Sequence, residues 1–142
     1  MTLVTEYVMR VRSTDMDSDR IVNNAHYFEY FQEARLVHLH ALGVIGGQRR
    51  EGDPDRSFTL AETTCTYRSP LRYRDEIVVR AWTKEVRTRS FSLAYEIALS
   101  GSDTIVAQGS SAQVWLDQSG KPTPLPDLLR DALQASIDGP GS

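Results

Sequence analysis

The sequence predicts an α+β domain in which an antiparallel sheet is rolled around one long helix. A long amphipathic segment with helical spacing lies near the N-terminus, and four segments with the alternation of strands follow it. Strands grouped in one block favour α+β over alternating βα units. A helix that is apolar over much of its circumference is best buried by a sheet that wraps it.

The size of the chain indicates one domain, which we place at residues 1–138, with a disordered tail over 139–142. Of the 142 residues, 25% are charged and 40% hydrophobic, as in an average globular protein. The formal charge of −3 provides no strong field for nucleic acid or an anionic membrane. One cysteine, Cys65, excludes an internal disulfide and a zinc cage of cysteines, and it fits a reducing compartment.

The chain carries no pattern of a membrane protein or of a secreted one. No apolar run approaches the roughly 20 residues that a membrane span needs. The first residues do not have the basic and apolar regions of a signal peptide. We therefore expect a cytoplasmic protein without membrane insertion or a nucleic-acid partner.

The first elements are a strand, a polar turn and the long helix. Residues 3–14 alternate in polarity, with Tyr7, Met9 and Val11 on one face. The segment 15–24 is rich in turn and cap formers, and its asparagines can accept hydrogen bonds from the start of a helix. We place that helix at about 24–42, ending at Gly43 as a left-handed cap. Its apolar face recurs every three or four residues, at Tyr27, Tyr30, Phe31, Ala34, Val37, His38 and Ala41.

The second half of the chain is mostly strand. A polar, glycine-rich and proline-containing segment at 46–56 predicts a mobile loop. Alternating segments, rich in threonine, aromatic and β-branched residues, then predict strands, and an amphipathic segment predicts a short terminal helix at 126–135. The four strands are placed at 58–68, 75–87, 90–100 and 104–116.

Residues 15–35, DMDSDRIVNNAHYFEYFQEAR, resemble the signature of the hotdog-fold acyl-CoA thioesterases. The resemblance is to the 4-hydroxybenzoyl-CoA thioesterase-like group, whose pattern is roughly D-x-D-x-x-G-x-V-N-N-x-x-Y-x-x-x-F-x-x-A-R. Three later segments are similar to the family in the same order, at 67–76, 87–91 and 124–126. The resemblance runs from about residue 6 to residue 135.

The resemblance implies a hotdog fold and hydrolysis of an acyl- or aroyl-CoA to the free acid and coenzyme A. It implies a homodimer or homotetramer, and no metal or cofactor. Arg20 departs from the family, which commonly has glycine there. This side chain could narrow the pocket, contact substrate or point to solvent.

Thioester hydrolysis needs a carboxylate that attacks or activates water, and a fixed donor for the oxyanion that develops. Asp17 precedes a helix whose first turn lies near Asn24, and a helix N-terminus offers free N–H groups. In the resemblance, Asp17 corresponds to the catalytic carboxylate and the backbone N–H of Asn24 to the donor. The sequence leaves open whether Asp17 is nucleophile or general base, and Asp15 and Asp19 are interpreted as structural.

The resemblance also indicates residues that bind substrate. Arg87, Arg89 and Ser90 lie at a predicted hairpin and correspond to the turn that contacts coenzyme A, whose phosphates suit guanidinium and hydroxyl donors. Tyr27 belongs to the core and is a candidate for the wall of the acyl pocket. The three histidines are not spaced as a metal site, since His38 and His40 point to different helix faces.

Two other functions remain open. The chain could act on acyl carrier protein thioesters, with the basic hairpin facing an acidic partner. It could also be a non-catalytic hotdog module that binds an acyl-CoA, which Arg20 keeps open.

In either case an exposed strand edge favours a dimer, and we expect each site to lie at the subunit interface.

Overall fold

A computed structural model describes residues 2–43 and 58–139, and five strands in these ranges form one antiparallel sheet. The strands lie in the order β1-β3-β4-β5-β2, so the first two strands of the chain are the two edges. The pairings β3 with β4 and β4 with β5 are hairpins of consecutive strands. The strand bounds are β1 Thr5–Arg10, β2 Phe58–Tyr67, β3 Glu76–Val86, β4 Ser90–Leu99 and β5 Ile105–Trp115.

The long helix α1, His26–Ala41, packs against the sheet and contacts β1 to β4. Its buried side chains include Tyr27, Tyr30, Phe31 and Leu39, in one core cluster with inward residues of β3 and β4. The Phe31 ring stacks on the Tyr95 ring of β4, with ring centroids 4.7 Å apart. This central helix against one sheet is the arrangement that the pattern of strands and helix predicts.

A second helix, α2 (Asp127–Asp138), packs against β3 and is joined to the core by a chain of buried polar side chains. The Ser136 hydroxyl lies 2.8 Å from the Thr83 hydroxyl, which lies 2.9 Å from His38 Nε2. The other ring nitrogen, Nδ1, lies 2.8 Å from the Thr5 hydroxyl. Three elements therefore meet at one imidazole, and α2 joins them through Thr83.

Several predicted boundaries are wrong by a few residues. The first strand ends at Arg10 instead of residue 14, because the chain turns into a short 3-10 helix at Ser13–Asp15. The long helix begins at His26, two residues late, because Asn23 Oδ1 accepts the Ala25 N–H and holds a turn there. The terminal helix extends beyond 135 to residue 138. The predicted mobile loop and residues 140–142 of the predicted tail lie outside the described residues.

Two helix positions predicted on the apolar face are less buried than expected. Ala41 is exposed because it is the last residue of α1, and Val37 is half-buried. Cys65, predicted as a small core residue, is half-buried and packs at the edge of the core cluster.

The strand β2 is an exposed edge. It pairs with β5 on one side only. Seven of its ten residues are exposed, and the other three, Phe58, Thr59 and Cys65, are half-buried. Threonines and Glu62 dominate its centre. Among the described residues no strand covers its outer edge, so its backbone groups there are open to pairing.

Candidate active site

Asp17 lies in a tight hairpin between Met16 and Val22, which form an isolated antiparallel bridge. Its N–H donates to the Ile21 carbonyl at 2.9 Å, and its Oδ1 accepts the Asp19 N–H at 2.8 Å. Among the described residues no donor binds Oδ2 of Asp17, and the side chain is half-exposed. The hairpin therefore holds the carboxylate in place by one oxygen and leaves the other accessible.

The backbone conformation at Arg20 explains why this position of the hairpin favours glycine. Its φ is 63°, in the left-handed region that a side chain with a Cβ adopts at a cost. The Arg20 N–H donates to the Asp17 carbonyl at 3.2 Å and closes the turn. The side chain is exposed and lines a cavity of about 500 Å³ together with Asp17. It contributes to the cavity wall and remains accessible to solvent.

Asp15 is a buried structural carboxylate. The Arg12 guanidinium donates to both of its oxygens, at 3.0–3.2 Å, and the Tyr30 hydroxyl donates to Oδ2 at 2.8 Å. Burial acts to raise the pKa of Asp15, but these hydrogen bonds outweigh it and hold the pKa below its ordinary value. Asp15 thus anchors the turn between β1 and α1 and is unavailable for chemistry.

The only metal-like group of His, Cys, Asp and Glu within the described residues is Asp15, His26 and Glu29. His26 Nδ1 lies 2.6 Å from Glu29 and 3.6 Å from Asp15. Because the Arg12 guanidinium already binds Asp15 and lies 3.6 Å from Glu29, a cation would have to displace it. The group is an ion-pair network, and we assign no metal to it.

Asn24 lies just before α1, where backbone donors are free. Its N–H makes no hydrogen bond to any residue in 2–43 or 58–139. Its carbonyl accepts the Tyr27 N–H at 3.3 Å and the Tyr67 hydroxyl at 2.9 Å. The end of β2 therefore fixes the next peptide, Asn24–Ala25, directly after the one that carries the predicted donor, a contact that sequence reasoning missed.

Tyr27 is a core residue that also lines a shallow cavity with Asn24. The side chain is 2% exposed, and its ring meets the Tyr67 ring edge-on with centroids 4.9 Å apart. The cavity, about 220 Å³, is completed by residues 67–70 and 21–22. Burial raises the pKa of the Tyr27 phenol, so it stays protonated at neutral pH.

Arg87, Arg89 and Ser90 lie at the β3–β4 hairpin, as predicted. Both arginines are exposed, and Arg87 Nε lies 2.9 Å from Glu85. A cavity of about 370 Å³ joins Arg87 to Arg130 of α2, a second cation that sequence reasoning missed. The cavity combines an exposed basic hairpin with a helix face.

The candidate residues are not gathered into one cavity in a single chain. Asp17 lines one cavity, Asn24 and Tyr27 line a second, and Arg87 lines a third. The first two share the hairpin 16–22 as a wall. Arg72 and Tyr73, which line the cavity with Asp17, come from the connection before β3, and sequence reasoning missed them.

Comparison with known proteins decides the family. Residues 11–133 match the Thioesterase-like superfamily. The chain belongs to this superfamily. A putative esterase of Aquifex aeolicus is 27% identical over 128 residues, which cover 90% of this chain and 96% of that protein. The chloroplastic acyl-acyl carrier protein thioesterase ATL3 of Arabidopsis thaliana is 27% identical over 88% of this chain, which spans 65% of that protein's length.

Solved structures confirm the hotdog fold. A 1,4-dihydroxy-2-naphthoyl-CoA thioesterase from Synechocystis superposes with a TM-score of 0.80 at 19% identity, covering 97% of this chain and all of that one. A gentisyl-coenzyme A thioesterase superposes with a TM-score of 0.73 at 25% identity, covering 91% of this chain and 98% of that one. Both the fold and the thioesterase family predicted from the sequence are therefore confirmed. No described helix of this superfamily member is long and apolar enough to cross a bilayer.

Proposed function

We propose that this superfamily member hydrolyses an acyl- or aroyl-CoA thioester to the free acid and coenzyme A. The observation that carries the proposal is the carboxylate of Asp17, which is half-exposed at a cavity and has one unbound oxygen. Buried Asp15, two residues earlier, is engaged by Arg12 and Tyr30. Of the two motif carboxylates, only Asp17 is thus free to act on a substrate.

Two routes lead from Asp17 to the same products. As a nucleophile, its carboxylate adds to the thioester carbonyl, the C–S bond breaks, and water cleaves the resulting anhydride. As a general base, it takes a proton from water, which then adds to the carbonyl and expels the thiolate. In both routes the carbonyl oxygen becomes negative in the transition state, and the Asn24 N–H is proposed to stabilise it.

Coenzyme A is proposed to bind at the basic hairpin. Arg87 and Arg89 offer exposed donors to its phosphates, half-buried Ser90 offers a hydroxyl, and Arg130 adds a cation from α2. Glu85 pairs with Arg87 and would be displaced or shared when a phosphate binds. Tyr27 is proposed as part of the acyl pocket, since it lines the cavity at Asn24.

A homodimer is proposed because the site residues of one chain lie in separate cavities. The outer edge of β2 is free to pair with the same strand of a second copy. Such a pair would place elements of the partner next to the hairpin of Asp17, with a tetramer as the next level of assembly. Sedimentation equilibrium at micromolar concentration should show more than the 16.0 kDa monomer, and a purely monomeric species would refute this assembly.

The catalytic proposal is tested with Asp17→Asn. This variant keeps the shape of the side chain but removes its charge and basicity, so kcat should fall by about 10² to 10⁴ while KM changes little. Asp19→Asn is the matched control, because Asp19 is an exposed residue of the same hairpin that contributes only its backbone N–H to the turn. Thiol release from a panel of acyl-CoA substrates is the readout. If both variants keep the parental kcat, Asp17 is not catalytic.

The same panel tests the two alternatives. The panel includes acyl carrier protein thioesters because the Arabidopsis relative is named for that substrate. Preference for the carrier protein would replace coenzyme A as the substrate. A parent that binds coenzyme A esters without releasing thiol would be a binding module. The cytoplasmic location stays a prediction.

A further inference from the structure

The cavity beside Asp17 is lined by apolar residues, two arginines and one carboxylate. Its volume is about 500 Å³, which is in the range of small-molecule sites. Met16 and Tyr73 contribute apolar walls, and the side chains of Arg20 and Arg72 line the same cavity. The cavity is thus suited to a hydrocarbon or aromatic group that carries a negative charge.

The two arginines lack carboxylate partners. No described residue forms an ion pair with either Arg20 or Arg72, and Asp17 is the only acidic residue that lines the cavity. Within the described residues Arg35, Arg68, Arg74 and Arg89 also form no ion pair with aspartate or glutamate, but Arg20 and Arg72 are the two such arginines that line one cavity with Asp17. Ion pairs with aspartate or glutamate are formed by Arg10, Arg12, Arg80, Arg87 and Arg130. Two unpaired guanidiniums beside one carboxylate leave the cavity with excess positive charge.

Both arginines are attached to fixed turns. The Arg72 N–H donates to Asp75 Oδ2 at 2.8 Å, and the Asp75 N–H donates to the Arg72 carbonyl at 3.1 Å. Arg20 is held by its hydrogen bond to Asp17 at a left-handed φ of 63°. The backbone from which each side chain projects is therefore set before a ligand arrives.

We propose that the acyl group of the substrate carries a carboxylate, which Arg20 and Arg72 bind while the thioester lies at Asp17. This inference rests on the proposed thioesterase function and specifies its substrate class. A guanidinium binds a carboxylate through two parallel N–H donors, a geometry that a neutral methyl group cannot use. The phosphates of coenzyme A are the other source of negative charge, but their proposed cations lie at the β3–β4 hairpin, where Arg87 and Arg130 line a different cavity.

Matched substrate pairs test the proposal. One pair is 4-carboxybenzoyl-CoA and 4-methylbenzoyl-CoA, and the other is adipyl-CoA and hexanoyl-CoA. Within each pair the thioester and the coenzyme are the same, so the ratio of kcat/KM isolates the terminal carboxylate. The parent is expected to favour the carboxylated member, and Arg20→Gly is expected to lower that ratio at least about tenfold. Glycine adopts the left-handed φ freely, so this variant should fold.

Arg74→Gly is the matched control. Arg74 is also an exposed arginine at a left-handed φ, of 73°, but it lies over the Tyr73 ring and does not line the cavity. This variant should keep the parental ratio. A parent without preference for the carboxylated members would overturn the inference and leave the thioesterase proposal intact. An equal effect of Arg20→Gly on both members would also overturn it, since the arginine would then serve the coenzyme. A parent that hydrolyses no member would refute both proposals.

Discussion

The buried imidazole of His38 should make the stability of the protein fall between pH 7 and pH 5. The side chain is fully buried, and within residues 2–43 and 58–139 its two ring nitrogens bind the hydroxyls of Thr5 and Thr83. Burial lowers the pKa of His38 from 6.5 to about 4, because the charged form loses its hydration. In the unfolded chain the imidazole regains a pKa near 6.5.

The sign and size follow from proton linkage. Below pH 6.5 the unfolded chain binds a proton at His38 that the folded chain does not bind until about pH 4. Falling pH therefore favours unfolding across this window, and the stability is fully present above it. From pH 7 to pH 5 the free energy of unfolding should decrease by about 2 kcal/mol from this one group.

Urea unfolding at pH 7 and pH 5 measures the effect. His38→Gln removes the titration and keeps a polar side chain, so its stability should decline less than that of the parent by about 2 kcal/mol. His40→Gln is the control, because His40 is an exposed neighbour on the same helix, and it should decline as the parent does. If parent and His38→Gln lose stability in parallel, the imidazole is not the proton acceptor and the reasoning fails.

Three further predictions follow from single contacts. Gly109→Ala should destabilise by about 1–3 kcal/mol in urea unfolding, because the new Cβ would lie 2.5 Å from the Phe31 ring, and an unchanged midpoint would contradict this packing. Asp15→Asn should destabilise by about 1–3 kcal/mol through its lost ion pair with the Arg12 guanidinium; parental stability at pH 7 would contradict its anchoring role. Arg87→Ala or Arg89→Ala should raise KM about tenfold and change kcat little. This is the low end of the effect of losing a hydrogen bond to a charged group, because both side chains are exposed. An unaltered KM for both variants would remove the hairpin from the coenzyme site.

The sequence was most informative where local pattern and tertiary role coincide. The alternation of β4 is visible in its residues, and the same residues alternate in burial, so that strand was placed correctly. The 3-10 turn at Ser13–Asp15 was missed, since Asp15 is drawn inward by Tyr30, which is fifteen residues away. No rule based on neighbouring residues predicts the contact between Asp15 and Tyr30.

The site shows the same division. Asp17 was singled out by its motif, and its place on a hairpin before α1 agrees with that interpretation. No role follows from the sequence for Arg72 and Tyr73, although their segment 67–76 resembles the family, because they approach Asp17 only through the fold. The sequence places His38 on the apolar face of the helix. An imidazole at helical spacing looks the same in sequence whether it packs against apolar side chains or binds two hydroxyls.

The hydrogen bond from Tyr67 to the Asn24 carbonyl joins the last residue of the edge strand to the start of α1. Anything that straightens or fixes β2 would therefore also restrain Asn24, whose N–H is proposed to stabilise the oxyanion. Pairing of two copies along β2 would be such an event, and turnover per subunit would then depend on protein concentration. On dilution, activity should decline before the fold does, and the rate of turnover would report the fraction of paired strands.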